Sequence, residues 1–303
     1  MEALELDPDF RAAGRSTRNT APTERCVSAG GKEKRLRPEN YRFLQQEIWR
    51  GTGIVLDEDK HYLFEARLAP LLRDSPLTTL NELCAQLRTR QNPLLQQQVL
   101  EALTTNETFF FRDVTPFAIL RSTILPELLA ALPPQQPLRI WSAAASSGQE
   151  PYSIAMLLHE LSALQRCAPI LGTDLCSQVL HYAKAAKYVQ FEVNRGLPAA
   201  YLLKYFKQEG LDWRLNDLIR KAVRFQQFDL RRPYTEVGCF HLILCRNVLI
   251  YFDLATKVTI LEQLADATEL GGYLLLGCAE SVPTTVTAWE RVSVNNMAVY
   301  RRR

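Results

Sequence analysis

Two carboxylates, Glu150 and Asp174, stand where a bound ligand would meet them. Glu150 follows seven consecutive small residues, Ser142 to Gly148. Upstream, the apolar run Leu138 to Trp141 reads as a buried strand. Downstream, Glu150-Pro151 opens a helical pattern that continues through Leu164. Proline suits a first helical turn, where its missing N–H would have no partner anyway. Strand, tight loop and helix start form the layout of a nucleotide-binding turn: small side chains admit a ligand to the backbone, and free N–H groups favour a negative group. Gly148 is the only glycine of this loop. A dinucleotide pyrophosphate turn wants several, so NAD is disfavoured. A ligand with a carboxylate and no phosphates, such as S-adenosylmethionine, tolerates Ala and Ser there. A connection packed with small residues fits the same pattern equally well.

Asp174 lies 26 residues past Gly148, after a second apolar run, Ala168 to Gly172. A carboxylate at the end of the second strand can accept both ribose hydroxyl protons; it can equally cap the helix expected over Gln178–Ala186. Three further segments carry polar groups at predicted strand ends. One is Asp229-Leu230, after the strand edge at Gln226. Another is Cys245-Arg246-Asn247, after the apolar strand Phe240–Leu244. The third precedes the first strand: Thr105-Asn106-Glu107-Thr108 runs into Phe109, Phe110, Phe111 and Arg112. The aromatic triplet reads as an apolar plug between domains, with Asn106, Thr108 and Arg112 as polar contacts to a ligand beside it.

The elements that must position these groups alternate strand and helix from residue 138 onward, which implies a mainly parallel α/β sheet with ligands at the strands' carboxyl ends. Val248–Phe252 leads to Asp253 and a helix, Leu254–Leu270; Gly271-Gly272 reads as a turn, Tyr273–Gly277 as a strand, and Val292–Tyr300 as the strand that closes the sheet. Asn194–Arg224 reads as an excursion containing short strands. Residues 39 to about 112 read as all-helical: Tyr41, Leu44, Ile48 and Trp49 share one face, and Gly51 to Gly53 break the pattern. Asp57 can cap the next helix, which carries Tyr62, Leu63, Ala66 and Leu68 inward. Lys60 and Arg67 fall on one face with Arg73 just beyond, either as solvated charges or as a docking face for an acidic partner. Leu80–Leu87 and Leu94–Leu103 give two more helices. Residues 1–38 lack apolar periodicity and read as a mobile tail.

Composition narrows the classes. The chain of 303 residues has room for two domains and a full core. A net charge of +3 is too small to argue for nucleic acid. Seven dispersed cysteines without a Cys-x-x-Cys pair suggest reduced thiols in a cytoplasm. The four histidines stand far apart, so no metal site is expected. No apolar run is long enough to span a bilayer, and the start of the chain does not read as a signal peptide.

Four motifs recur in order: Thr105-Asn106-x-Thr108-x-Phe110-Phe111-Arg112; Trp141 to Ala144 through Gly148-x-Glu150-Pro151-Tyr152; Thr173-Asp174; and Cys245-Arg246-Asn247-Val248-Leu249-Ile250-Tyr251-Phe252-Asp253. Together they resemble the chemotaxis receptor methyltransferase family, CheR, from about residue 39 to the end. The resemblance implies a small all-helical N-terminal domain at 39–112. It also implies a Rossmann-like methyltransferase domain at 113–303, with a small inserted β-subdomain at 190–225. The implied reaction moves a methyl group from S-adenosylmethionine to glutamate side chains of methyl-accepting chemotaxis receptors, leaving S-adenosylhomocysteine. Carried onto this sequence, the resemblance puts Asn106, Thr108 and Arg112 against the cofactor and Glu150 at its methionine ammonium. It sets Asp174 at the ribose, Asp229 and Leu230 beside the adenine, Arg246 and Asn247 along the cleft, and Tyr251 near the transferred methyl. Ala145, Gln149 and Asp229 replace residues commoner in the family, all mildly.

A glutamate carboxylate is already ionised near neutral pH, so attack on a sulfonium methyl needs no strong base. Catalysis can come from holding oxygen, carbon and sulfur in line. Arg112 is then expected to steer the substrate carboxylate and Tyr251 to position donor or acceptor. The resemblance makes Lys60, Arg67 and Arg73 candidates for docking the receptors' cytoplasmic methylation helices. Members that tether to a receptor's terminal peptide carry an extended glycine-containing loop in the inserted subdomain. The segment Phe206–Arg214 looks short, so tight binding of a C-terminal pentapeptide is not expected. A monomer is expected, without nucleic acid or membrane insertion. A nucleic-acid methyltransferase would show a basic stripe and a motif such as Asn-Pro-Pro-Tyr; a cofactor sensor without catalysis would differ only in turnover.

Overall fold

The computed structural model describes residues 35–56 and 61–303. The tail through residue 34, the Asp57 cap and Lys60 lie outside the described residues. Four helices come first: α1 (Pro38–Thr52), α2 (His61–Arg73), α3 (Leu80–Thr89) and α4 (Pro93–Leu103). Their starts and stops are local. Thr79 and Asn92 accept from the third residue of α3 and α4, and Gly53 ends α1 in the left-handed conformation at φ +75°. Tyr41, Leu44 and Ile48 of α1 meet Phe64 and Leu68 of α2 in one apolar cluster. Two expectations change here. Trp49 is half exposed. On α2, Phe64 and Leu68 point inward while Tyr62 and Ala66 face solvent. The i, i+4 pair that fits against α1 and α4 decides the face, not the count of apolar residues.

The strands are β1 (Ile140–Ala143), β2 (Ile170–Asp174), β3 (Lys187–Val189), β4 (Phe206–Glu209), β5 (Asp212–Leu215), β6 (Val223–Gln227), β7 (Phe240–Cys245), β8 (Thr268–Leu276), β9 (Trp289–Val294) and β10 (Met297–Arg302). Seven of them form one sheet in the order β6-β2-β1-β7-β8-β10-β9. The first five run parallel, and β10 and β9 are antiparallel additions. Central β1, β2 and β7 are buried at every position, as strands covered on both faces must be. The order reverses beside β1, so the carboxyl ends of β1, β2 and β7 open a crevice there.

Three strand expectations are corrected. What reads as one closing strand is a hairpin, β9–β10, turned by Asn295-Asn296 at φ +46° and +64°. Two left-handed residues match the twist of paired strands, and Asn tolerates that conformation. Gly271-Gly272 lies inside β8, where a register shift opposite Phe240/Leu242 replaces the expected turn. The small sheet, order β3-β5-β4, starts at Lys187 rather than 190, and Val223–Gln227 belongs to the main sheet.

Candidate functional site

One cleft of about 880 Å³, partly open to solvent, lies over the carboxyl ends of β1, β2 and β7 and reaches Thr52 and Ile54 at the end of α1. The polypeptide brings all ten predicted cofactor and catalytic positions to it. Asn106, Thr108 and Arg112 come from the interdomain segment, Glu150 from the helix Gln149–Glu160, and Asp174 from the end of β2. Asp229 and Leu230 follow β6, and Arg246, Asn247 and Tyr251 follow β7.

The loop between β1 and this helix explains its composition. Ala144, Ser146 and Gly148 all have positive φ, at +59°, +49° and +92°. Ala and Ser carry a strain of about 1–2 kcal/mol each there. Only Gly148 is sterically compelled, since an added Cβ would sit 3.0 Å from Ala183 Cβ and from Phe225 Cζ. The turn is held by the groups it serves: Ser146 N–H donates to Asp174 Oδ2 (2.9 Å), and Ser146 Oγ donates to the Asn106 carbonyl (2.7 Å). Asp174 Oδ1 accepts from Cys176 N–H (3.0 Å). Asp174 therefore shapes the loop and the turn after β2; it does not cap the following helix, Ser177–Ala185. Burial pushes its carboxyl above the ordinary aspartate range, against the pull of those N–H bonds. The helix start is capped from the other domain, where Glu101 Oε1 of α4 accepts from Ser177 N–H (3.0 Å) and Oγ (2.8 Å).

At the opposite end sits an ion network. Glu150 accepts from Ser142 Oγ (2.8 Å) and from Arg246 Nη1 (2.9 Å). Arg246 Nη2 donates to Asp113 Oδ2 (2.7 Å) and to the Arg112 carbonyl (3.0 Å). The Arg246 side chain is 1% exposed, and its buried Nε has no partner. A guanidinium next to a carboxylate on one cleft wall is a complement for a zwitterion. The segment supplying Arg112 and Asp113 is strained, with Phe111, Asp113 and Val114 at φ +51°, +71° and +50°. Such backbone persists only when its surroundings hold it. Here Phe111 N–H donates to Ser153 Oγ (3.0 Å), Phe111 stacks edge-on with Phe117 and Tyr201, and Phe110 with Tyr188 and Phe206. Phe110 and Phe111 thus anchor the interdomain segment in the base of the inserted sheet, while Phe109 lies under the guanidiniums of Arg112 and Arg195. Arg112 Nη1 donates to the Glu107 carbonyl (2.9 Å) at the mouth of the cleft.

Between these ends, Leu230, Phe228 and Val248 line the cleft with Asp229. The Asp229 carboxylate is already engaged: Arg231 donates from Nε to Oδ1 (3.0 Å) and from Nη2 to Oδ2 (2.7 Å). The same guanidinium reaches the carbonyls of Trp49, Arg50 and Gly51 at the end of α1. The Tyr251 carbonyl accepts from Val55 N–H (2.9 Å), so both walls of the cleft are tied to the helical domain.

The basic candidates on α2 divide. Arg73 is exposed in the last turn. Arg67 is corrected: its guanidinium turns inward to the carbonyls of Leu103 (2.7 Å) and Thr104 (3.3 Å) and to Thr105 Oγ1 (2.9 Å). The unpaired carbonyls at the end of α4 attract a cation more strongly than solvent does. Residue types alone missed Ser142, Asp113, Arg231 and Glu280. The last follows β8 at the same sheet edge, so strand-end position was the signal that could have found it.

The description "CheR methyltransferase, SAM binding domain" matches residues 106–298, and "CheR methyltransferase, all-alpha domain" matches 39–104. The chain is 37% identical over 270 residues to chemotaxis protein methyltransferase Cher2 of Pseudomonas putida, covering 86% of this chain and 98% of the relative. It is 38% identical to chemotaxis protein methyltransferase 1 of Pseudomonas aeruginosa, covering 86% and 97%. With chemotaxis protein methyltransferase 1 of Vibrio cholerae the identity is also 38%, covering 86% and 94%.

Proposed function

The chain belongs to the CheR methyltransferase family, and we propose that the cleft running from Asp174 to Arg246 is where it carries out that family's reaction. The protein is an S-adenosylmethionine-dependent protein-glutamate O-methyltransferase acting on chemoreceptors. The observation that carries the site assignment is the pairing of charges at one end of the cleft, where buried Glu150 and buried Arg246 both line it. An amino acid's ammonium and carboxylate need those two partners. Asp174, whose oxygens accept from the N–H groups of Ser146 and Cys176, keeps acceptor capacity for ribose hydroxyls. Asp229 Oδ2 takes a single bond from Arg231 and keeps a lone pair for the adenine amine, beside the backbone after β6 and the apolar walls Phe228 and Leu230.

The bound donor supplies a sulfonium methyl, a carbon that a carboxylate oxygen can attack directly. One C–O bond forms and one C–S bond breaks, and no proton moves, because the glutamate is already an anion. The protein's own task is alignment. Glu150, Arg246 and Asp174 hold two ends of a long ligand and so fix its middle. Arg112, at the mouth, draws an incoming carboxylate without a bidentate grip that would blunt its nucleophilicity. Tyr251 lines the wall between Asn247 and the mouth, suited to orient donor or acceptor. The reading puts the protein in the cytoplasm, beside the receptors' methylation helices, with Arg73 as a docking cation. The β4–β5 turn is two residues, Gly210 and Leu211, which supports the inference that this chain does not grip a receptor's C-terminal pentapeptide. It works in this reading as a monomer that binds no nucleic acid.

Incubating purified protein with methyl-labelled S-adenosylmethionine and receptor-containing membranes should place alkali-labile label on the receptors. Absence of label, with wild-type protein that binds the donor, would refute the assignment.

A further inference from the structure

A carboxylate outside the cleft's ligand-facing set organises one of its walls. After β7 the chain leaves the sheet sharply at Asn247, whose φ is +59°. This left-handed turn points several N–H groups away from any strand or helix partner. Glu280 collects them. Its Oε2 accepts from Asn247 N–H (2.7 Å) and Gly277 N–H (2.7 Å). Its Oε1 accepts from Val248 N–H (2.9 Å) and Ile250 N–H (3.3 Å). Four donors on two oxygens is near the capacity of an ionised carboxylate. The place for it is made by Gly277: a Cβ there would lie 2.7 Å from Glu280 Oε2 and 2.9 Å from Asn247 N. Cys245 and Leu276 are register neighbours in β7 and β8, so the segment after β8 folds back across the edge from which Arg246 and Asn247 emerge.

We propose that Glu280 is a positioning residue for methyl transfer, its carboxylate gathering the N–H groups of Asn247, Val248, Ile250 and Gly277 so that Arg246 is presented at the donor's amino-acid end and Tyr251 on the adjoining wall. The proposal rests on the assignment of that end of the cleft to Arg246 and Glu150. An amide at the same position would aim an NH2 group at part of this N–H cluster and leave some of these partly buried donors unpaired. The loop would then relax, and Arg246 with it. Asp174 and the segment after β6 lie on other strands, so the sugar and base end should be untouched.

The test compares two ligands on wild-type, Glu280→Gln and Glu280→Asp proteins by titration calorimetry: S-adenosylhomocysteine, and 5′-methylthioadenosine, which lacks the amino-acid end. Glu280→Gln should weaken S-adenosylhomocysteine roughly tenfold or more and methylthioadenosine by less than about twofold. Glu280→Asp, which keeps the charge on a shorter arm, should recover part of the loss. Amide exchange at residues 246–251 should quicken in Glu280→Gln in the absence of ligand. Equal weakening of both ligands would reveal mere loss of fold and overturn the proposal, as would unchanged affinity for both. Faster exchange with unchanged S-adenosylhomocysteine affinity would also overturn it, by separating the loop from the donor. Wild-type protein that fails to distinguish the two ligands would refute the amino-acid-end assignment itself, and the proposal with it. Should Glu280→Gln fail to fold, Glu280→Asp carries the same comparison: selective weakening of S-adenosylhomocysteine supports the proposal, and parallel weakening or none overturns it.

Discussion

Replacing Arg231 by alanine tests whether the cleft depends on the helical domain. The substitution removes two bonds to Asp229, at 3.0 and 2.7 Å. It also removes three bonds to the last carbonyls of α1, at 3.3, 3.1 and 2.7 Å. The ion pair is partly exposed, 24% for Arg231 and 14% for Asp229, so solvent screening holds it to about 1 kcal/mol. The carbonyl bonds add about 0.5–1 kcal/mol each, the long one least. The total is about 3 kcal/mol, which in a chain of 303 residues lowers Tm by roughly 5 °C. Asp229 keeps only the backbone N–H of residue 231, and the wall beside the predicted adenine site loosens. S-adenosylhomocysteine should bind roughly tenfold more weakly, about 1.4 kcal/mol. The assay is thermal unfolding with and without S-adenosylhomocysteine, against Arg232→Ala, an exposed neighbour expected to stay within about 0.5 kcal/mol of wild type. If Arg231→Ala behaves like Arg232→Ala in both measurements, the clasp between α1 and the cleft is not an energetic feature of the protein.

Four further outcomes follow from the same geometry. Glu150→Gln should weaken S-adenosylhomocysteine by roughly 10–100-fold by calorimetry, since a charge-assisted bond to an ammonium is lost, while leaving methylthioadenosine nearly unaffected. Arg112→Ala and Tyr251→Phe should lower kcat for receptor methylation more than they change donor affinity; unchanged turnover in both would remove their proposed roles. Asp174 binds hydroxyls as an anion, and burial raises its carboxyl above the ordinary aspartate range. Donor affinity should therefore decline as pH falls, beginning at a higher pH than an ordinary aspartate would dictate, and calorimetry between pH 4 and 8 reads this out. The same raised value means that ionised Asp174 opposes folding of the free protein, so this group's share of stability improves, not worsens, as the pH drops. Gly196→Ala should cost about 3 kcal/mol or more in denaturant unfolding, because its φ is +81° and an added Cβ would lie 2.1 Å from the Phe110 carbonyl oxygen.

Much of this was legible in the order of residue types. Ser142 to Gly148 before Glu150-Pro151 specified a strand, a tight turn and a helix start, because small side chains, proline's fixed φ and helix periodicity act over a few neighbours. The apolar runs of β1, β2 and β7 announced strands covered on both faces, and the ends of those runs marked where a ligand could lie. What local rules could not reach was the partner of each charge. Arg67 looked free for docking and is spent on the end of α4, 36 residues away. Asp229 looked unpartnered and is held by Arg231. Glu280 carried no motif, yet it gathers N–H groups some thirty residues earlier in the chain. A side chain's type limits what it can bond, whereas its choice among bonds depends on which unpaired backbone groups and opposite charges the fold brings within 3 Å. That choice belongs to the whole chain at once, and only the tertiary structure makes it.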